Sequence, residues 1–124
     1  MNDDIENRSP SLVMVIDAND AVALAEFWSA ALGYRRVDTV EQYEVLVPGE
    51  GAGGPPLLIQ GVDDPKVAKN RMHLDLHVAD AEATAQELEA LGASRLGSGS
   101  IGEIRWITMA DPEGNEFDLA WDHS

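Results

Sequence analysis

The stretch HLDLHVADAEATAQELEALGAS, from His73 to Ser94, decides the fold, because an earlier stretch of the chain follows the same plan. VMVIDANDAVALAEFWSAALGY, from Val13 to Tyr34, has the same order of an alternating strand, an Asp, a helix and then Leu-Gly. Asp20 and Asp80 are 60 residues apart and the two Leu-Gly pairs are 59 apart, so the first helix carries one extra residue. A unit repeated in this way predicts one supersecondary module used twice.

Local signals place the elements of the first module. A strand is predicted from Ser11 to Ala18, and Asp20 then stands where a helix N-cap accepts hydrogen bonds from the first turn. The helix is predicted to run to Leu32, with Gly33 following in the position where a left-handed backbone is least costly. Three further strands are predicted, at Tyr34–Val40, Tyr43–Val47 and Leu57–Val62.

The pattern then restarts in the second module. A strand is predicted over Arg71–Ala79, with Asp80 as the N-cap of a helix that ends before Gly92. Three strands follow, at Ala93–Leu96, Ile104–Ala110 and Glu116–Trp121. The sequence therefore predicts an α+β fold of two βαβββ modules that form paired curved mixed sheets around a cleft. The predicted organisation is a disordered lead over 1–10 and a single domain over 11–124, with module one at 11–62, a linker at 63–70 and module two at 71–121.

Composition restricts the classes of function. The chain has 124 residues and a net charge of −15. It has no cysteine, and this excludes disulfides, thiolate nucleophiles and zinc sites of the cysteine type. The acidic balance argues against nucleic acid and anionic membranes as partners. It favours a cationic small ligand electrostatically, and the alternative is that the charge serves solubility or salt tolerance. No apolar run reaches the roughly 18 residues of a membrane span, and the polar N-terminus does not resemble a signal peptide, so a cytoplasmic protein is expected.

Strand alternation predicts which side chains face the cleft. In the first strand of module two, Leu74, Leu76 and Val78 share one face and are expected to pack beneath the helix. The other face carries the polar side chains, and the repeat identifies corresponding positions elsewhere. The predicted ligand-binding set is Val13, Val15, Gln60, His73, Asp75, His77, Trp106 and Asp118. His73 and His77 are the candidate catalytic residues of this set, because imidazole transfers protons near neutral pH.

Three segments resemble the vicinal oxygen chelate superfamily, which includes glyoxalase I, bleomycin-resistance proteins and extradiol dioxygenases. They are FWSAALGY at 27–34, KNRMHLDLHVAD at 69–80 and DPEGNEFDL at 111–119. The combination is most similar to the glyoxalase-like branch, and the resemblance extends from Leu12 to Trp121. It implies the fold, but it is not specific for a reaction, since this fold carries lyases, dioxygenases and drug-binding proteins.

The resemblance also implies where a metal would lie. In metal-using relatives, four positions on the first and last strands of the modules converge on one ion, and they correspond here to Val13, Gln60, His73 and Asp118. Valine cannot bind a metal, and Asp118 is shorter than the Glu usual at its position. The candidate ligands are therefore His73, Asp118 and Gln60. No cofactor is expected. If these residues do hold an ion, the candidates are divalent zinc, nickel, iron and cobalt.

Three functions remain open from the sequence. The first is a protein of the bleomycin-resistance type that binds or sequesters a small organic molecule, of cationic character, without a catalytic metal. The second is a metal-dependent lyase or isomerase of the glyoxalase type, in which the ion stabilises an enediolate. The third is a structural or partner-binding module. A homodimer is predicted in each case, because two short sheets leave open edges that are normally covered.

Overall fold

Two four-stranded sheets, each carrying one helix, make up the computed structural model of the chain, which describes residues 11–123. Module one contains β1 (Met14–Ala18), α1 (Ala21–Leu32), β2 (Arg35–Val40), β3 (Tyr43–Val47) and β4 (Leu57–Gly61). Module two contains β5 (Leu74–His77), α2 (Ala81–Ala90), β6 (Ser94–Ile101), β7 (Ile104–Ala110) and β8 (Glu116–Asp122). The predicted pair of βαβββ modules is confirmed. The predicted lead over 1–10 lies outside the described residues.

The two sheets have the same topology. Their strand orders are β1-β4-β3-β2 and β5-β8-β7-β6, so the first strand of each module lies at one edge and the second strand at the other. In each sheet the first strand pairs in parallel with the last, and the remaining pairs are antiparallel. The repeat seen in the sequence is therefore a repeat of topology, and β1 and β5 are equivalent edge strands.

The predicted N-caps begin both helices. The side chain of Asp20 accepts a hydrogen bond from the Ala23 N–H at 3.1 Å, and the side chain of Asp80 accepts one from the Ala83 N–H at 3.0 Å. Gly33 ends α1 with φ at 69°, in the left-handed region that a residue without Cβ adopts most easily. These local contacts set the ends of the helices, and the apolar side chains of the helices then pack on the sheets.

One hydrophobic core joins the two modules. Phe27 and Trp28 of α1 form edge-to-face contacts with each other and with Phe117 of β8, with ring centroids 4.9–6.2 Å apart. Trp28 and Phe117 are each 1% exposed. Because α1 belongs to module one and β8 to module two, these rings bury surface across the module boundary. The predicted core role of Phe27 and Trp28 is confirmed.

A polar contact supports the same boundary. The Trp28 indole N–H donates to Oδ2 of the buried Asp111 at 2.9 Å. Asp111 also accepts the backbone N–H groups of Glu113 and Asn115, at 2.9 and 3.0 Å. The turn between β7 and β8 is thereby tied to α1, and Asp111 has partners that compensate for its burial.

Three predicted strands have wrong bounds. The strand expected over Ser11–Ala18 is β1, which begins only at Met14. The strand expected over Arg71–Ala79 is β5, which has only four residues, and the strand expected to stop at Leu96 is β6, which continues to Ile101. Glycine usually weakens a strand. Here the ring of Trp106 covers Gly99, its register partner, and occupies the place that a Cβ would need. Among the described residues, no helix has both the length and the apolar character needed to cross a membrane.

Candidate functional site

The outer face of β5 carries the polar residues that alternation predicted. Leu74, Leu76 and Val78 are half-buried and pack on the core, whereas His73, Asp75 and His77 are exposed. The alternation is as predicted, but the three apolar side chains are not buried beneath the helix, because all three line surface cavities. The polar side chains of β5 lie beside those of β8, because β5 and β8 are hydrogen-bonded neighbours with Asp75 opposite Asp118.

Three of these side chains form a compact cluster, which we call the His-Asp cluster: His73, Asp75 and Asp118. His73 Nε2 lies 3.1 Å from Asp75 Oδ1 and 3.3 Å from Asp118 Oδ2. One nitrogen and two carboxylate oxygens of the cluster lie within 4.8 Å of one another. Asp118 is the least exposed member, with 15% of its side chain accessible, against 42% for His73 and 49% for Asp75. With both carboxylates ionised, the cluster is an anionic site open to solvent on one side.

A cavity of about 440 Å³ adjoins the cluster. It lies beside the free edge of β1, and the linker between the modules and the turn before β8 close it. His73 belongs both to the cavity wall and to the His-Asp cluster. Apolar wall residues include Met14, Val15, Ile16, Trp28 and Leu74, and polar ones include Lys66, Asn70, Arg71, Glu113 and Glu116. The volume is in the range of pockets that hold small organic molecules.

Two of the four acidic residues of the cavity wall, Glu113 and Glu116, already have donors for their carboxylates. Glu113 accepts the backbone N–H groups of Asn19 and Asp20 at 2.6 and 2.7 Å. Glu116 accepts the Asn70 N–H at 3.0 Å and pairs with Lys66 at 3.2 Å. Burial acts to raise the pKa of Glu116, but the backbone hydrogen bonds and Lys66 outweigh it and lower that pKa. These contacts fix the linker against module two and shape the wall.

The remaining predicted site residues lie apart from the cluster. Val15 lines the cavity, and His77 lines a second groove of about 390 Å³ next to Tyr34 and Pro55. Trp106 lies on β7 over Gly99 of the neighbouring strand. Val13 precedes β1 and is 44% exposed, and Gln60 lies on β4. Within residues 11–123, no hydrogen bond or ion pair joins Gln60 to His73 or Asp118.

The strand register does not support the equivalence of Gln60 with Asp118. In module two, Asp75 is opposite Asp118. In module one, the position equivalent to Asp75 is Val15, which is opposite Leu58, and Gln60 is two residues further along β4. Module one therefore has an apolar residue at both equivalent ligand positions. Asp75 is instead the residue that the structure adds to His73 and Asp118.

The cluster fits a divalent ion as a three-ligand site. Two ligand atoms at right angles around an ion, each about 2.1 Å from it, would be about 3 Å apart, close to the 3.1 and 3.3 Å found here. One imidazole and two carboxylates are ligands that first-row divalent metals accept. His73, Asp75 and Asp118 are thus the residues that would hold a metal.

Sequence reasoning missed two parts of the site. The first is Thr108 on β7, whose hydroxyl donates to Asp118 Oδ1 at 2.7 Å. Its position opposite Asp118 follows from the strand register, which the chain alone does not reveal. The second is the linker wall, represented by Asp64, Lys66 and Asn70. Coil residues carry no periodicity from which their direction could be inferred.

The chain matches the model of the glyoxalase-like domain family over residues 13–120. No curated protein sequence matches it. The fold is similar to that of a glyoxalase/bleomycin resistance protein/dioxygenase family enzyme from Burkholderia phytofirmans PsJN, with a TM-score of 0.73, 14% identity and coverage of 89% of this chain and 96% of the other.

Two further solved structures share the fold. The genomically encoded fosfomycin resistance protein FosX from Listeria monocytogenes has a TM-score of 0.74 at 14% identity, covering 92% and 93% of the two chains. A mutant of that protein is described as complexed with Mn(II) and 1S,2S-dihydroxypropylphosphonic acid. The lactoylglutathione lyase from Agrobacterium tumefaciens has a TM-score of 0.65 at 16% identity, covering 93% and 95%. Identities this low establish the fold and leave the reaction open.

Proposed function

This chain belongs to the glyoxalase-like domain family, and from that premise we propose that it binds a small organic molecule with a cationic group. The observation that carries this proposal is the double role of His73. It belongs to the anionic His-Asp cluster and also to the wall of the adjoining cavity of about 440 Å³. A ligand could therefore place a charged group against the carboxylates and its body in the cavity.

Charge and wall chemistry indicate the kind of ligand. The chain carries a net charge of −15, so its field attracts cations and repels anions. Within the cluster, the Asp75 and Asp118 carboxylates share the His73 imidazole as a partner. An ammonium or amidinium group of a ligand could donate hydrogen bonds to both carboxylates. Met14, Ile16 and Leu74 offer apolar surface nearby. The combination suits an organic cation with an apolar body.

Binding of matched ligands tests this proposal. We expect 2-phenylethylammonium to perturb the amide NMR signals of His73, Asp75 and Asp118, whereas 3-phenylpropionate and 2-phenylethanol should leave them unchanged. His73→Ala and Asp118→Asn should each weaken the binding about tenfold or more, because each removes a polar partner from the site. His77→Ala is the matched control, since His77 lies outside the cluster. Equal binding of the anionic and cationic compounds would contradict the proposal.

A metal-dependent lyase or isomerase is the second candidate function. The observation in its favour is that three ligand atoms already lie within 4.8 Å of one another. An ion held there would polarise two neighbouring oxygens of a substrate. The residues of this chain would contribute the imidazole and the two carboxylates that hold the ion, and the cavity wall would position the substrate. The FosX mutant complexed with Mn(II) shows that this fold can carry such an ion.

Metal analysis distinguishes the two candidates. The protein should be purified without chelator and without nickel resin, and its metal content measured by mass spectrometry. The binding-protein proposal predicts less than about 0.1 ion per chain. One tightly held ion per chain, lost in His73→Ala and kept in His77→Ala, would contradict the binding-protein proposal and favour the metal-dependent lyase or isomerase.

Turnover of the glutathione adduct of methylglyoxal is expected to be absent. The two positions of module one that correspond to His73 and Asp118 are Val13 and Leu58, so a four-ligand site is not available within the two modules of one chain. The net charge of −15 also repels the anionic adduct. Turnover in the presence of zinc, nickel or cobalt, abolished by His73→Ala, would overturn this expectation.

We also propose a homodimer in which a second copy covers the open face of module one. Val13 and Val15 are 44% and 51% exposed on this face. Exposed apolar residues grouped on one sheet favour association. Light scattering at micromolar concentration should give twice the 13.4 kDa mass of one chain. A monomer at that concentration would contradict the proposal.

A further inference from the structure

We infer that Thr108 is a positioning residue of the His-Asp cluster, which holds Asp118 in the orientation that leaves one of its carboxylate oxygens for the ligand. This inference deepens the proposed function and rests on it. Thr108 Oγ1 donates to Asp118 Oδ1 at 2.7 Å, whereas Asp118 Oδ2 is the oxygen 3.3 Å from His73 Nε2. The two oxygens of one carboxylate are thus divided between a fixed partner and the binding site.

The sheet presents this hydroxyl directly to the carboxylate. Thr108 on β7 is opposite Asp118 on β8, so the two side chains project from the same face at adjacent positions. On the other side of Thr108, the register partner is Gly97 on β6. A glycine offers no side-chain acceptor to compete for the hydroxyl, and a Cβ built at Gly97 would meet no atom within 4 Å. Of the two residues opposite Thr108 on the neighbouring strands, Asp118 is therefore the one whose side chain can accept the hydroxyl hydrogen bond.

The short side chain of Asp118 makes this hydrogen bond important. An Asp118 side chain free to change its χ1 rotamer could turn its carboxylate away from His73. Because Thr108 holds Oδ1, the carboxylate contributes a single oxygen to the cluster, and Asp75 contributes a second one from β5. Partners of this kind, which orient the groups that touch the ligand, typically change metal affinity by about 10–100-fold when they are removed.

Three variants separate the hydrogen bond from packing. Thr108→Val has nearly the same shape but lacks the donor, and Thr108→Ser keeps the donor and lacks the methyl group. Thr39→Val is the matched control, because Thr39 Oγ1 also donates to a carboxylate, Glu44 Oε1, at 3.0 Å in module one. Circular dichroism and thermal unfolding should verify that all three are folded.

Two readouts are needed. The first is the χ1 rotamer of Asp118, measured by three-bond NMR couplings without any ligand present. We expect one rotamer in the wild type, Thr108→Ser and Thr39→Val, and rotamer averaging in Thr108→Val. The second is the affinity for 2-phenylethylammonium, measured by NMR titration, and for Mn²⁺ alone, measured by electron paramagnetic resonance. Thr108→Val should bind about tenfold more weakly, whereas Thr108→Ser and Thr39→Val should stay within about twofold of the wild type.

The outcomes are distinguishable. Loss of affinity in Thr108→Val with rescue in Thr108→Ser supports the positioning role. An averaged Asp118 with unchanged affinity overturns it, and so does a single rotamer retained in Thr108→Val. If the wild type holds Asp118 in one rotamer but binds neither Mn²⁺ nor an organic cation, the proposed function fails. In that case the contribution of Thr108 to the conformation of Asp118 is still decided by the first readout.

Discussion

The open faces of the two sheets have the same backbone and opposite chemistry. Val13 and Val15 of module one are at the positions that His73 and Asp75 occupy in module two, 60 residues later. On the helix-facing sides the two modules agree, with apolar residues at Met14, Ile16, Leu74 and Leu76. The comparison teaches that the helix-facing residues maintain the repeated fold, and that the opposite face is where the modules have diverged.

The two helices also differ in how they are held. α1 buries Leu24, Ala25, Phe27 and Trp28, whereas α2 buries the smaller set Ala81, Ala85 and Leu88. α2 has in addition a surface contact to its sheet, because Glu82 accepts two hydrogen bonds from Arg95 of β6, at 2.6 and 2.8 Å. α1 is therefore held by a larger apolar surface, and α2 combines a smaller one with a charged contact.

The largest effect is expected where the two modules meet. Asp111→Ala removes the acceptor for the Trp28 indole and for two backbone N–H groups, all at a site that is 3% exposed. We expect a loss of about 3 kcal/mol in the free energy of unfolding, because buried donors lose their partner. Urea unfolding should show this loss as a single transition by both circular dichroism and tryptophan fluorescence.

Asp63→Ala is the control for this experiment, since Asp63 is exposed in the linker. It should change the stability by less than about 0.5 kcal/mol. Two separate transitions in Asp111→Ala would mean that the modules unfold independently once this contact is lost. An unchanged stability would mean that Asp111 does not join them.

A charge on the open face of module one tests whether that face is an interface. Val13→Lys places an ammonium where the proposed second copy would bury it, so the dimer should dissociate about tenfold more readily or worse. Val22→Lys is the control, because Val22 is similarly exposed, at 47%, but lies on α1. Sedimentation velocity measures both. Equal dimer dissociation constants in the two variants would mean that the open face of module one is not the interface.

The smallest effect is expected at the surface contact of α2. The hydrogen bond from Arg95 lowers the pKa of Glu82 from 4.5 to about 2. A carboxyl whose pKa is lower in the folded state stabilises the fold above pH 4.5, and this stabilisation disappears as the pH falls toward 2. Since both groups are on the surface, the contribution is small and should weaken further in high salt.

Arg95→Gln tests this contact. The Glu82 carboxyl, followed by NMR, should titrate closer to 4.5 in the variant than in the wild type. The stability difference between the two proteins should be larger at pH 6 than at pH 2. A Glu82 carboxyl that titrates in the same range in both would contradict the assignment of Arg95 as its partner.

Alternation and repetition predicted most of the fold. Asp20 and Asp80 were identifiable as N-caps because the capping interaction is local, and the faces of β5 followed from alternation around His73. The extension of β6 was not predictable, because its Gly99 reads as a strand breaker and Trp106, which covers it, comes from another strand.

The site was predictable only in part. The resemblance to a known family identified His73 and Asp118, and the structure brings them within 3.3 Å. Gln60 was assigned from the same resemblance, and only the strand register shows that Leu58 has the position equivalent to Asp118. The role of Thr108 depends on the same register. Pairing between strands that are distant in the sequence is therefore the information that the chain alone lacks.

The central claim is that the cation-binding chemistry lies on the open face of module two. Paramagnetic broadening of the amide NMR signals by substoichiometric Mn²⁺ and by a trimethylammonium nitroxide tests it most directly. The account predicts that the signals of His73, Asp75 and Asp118 broaden first, and that His73→Ala abolishes this selectivity. Broadening that begins away from the cluster and the cavity, or that spreads evenly over the acidic surface and is unchanged in His73→Ala, would contradict it.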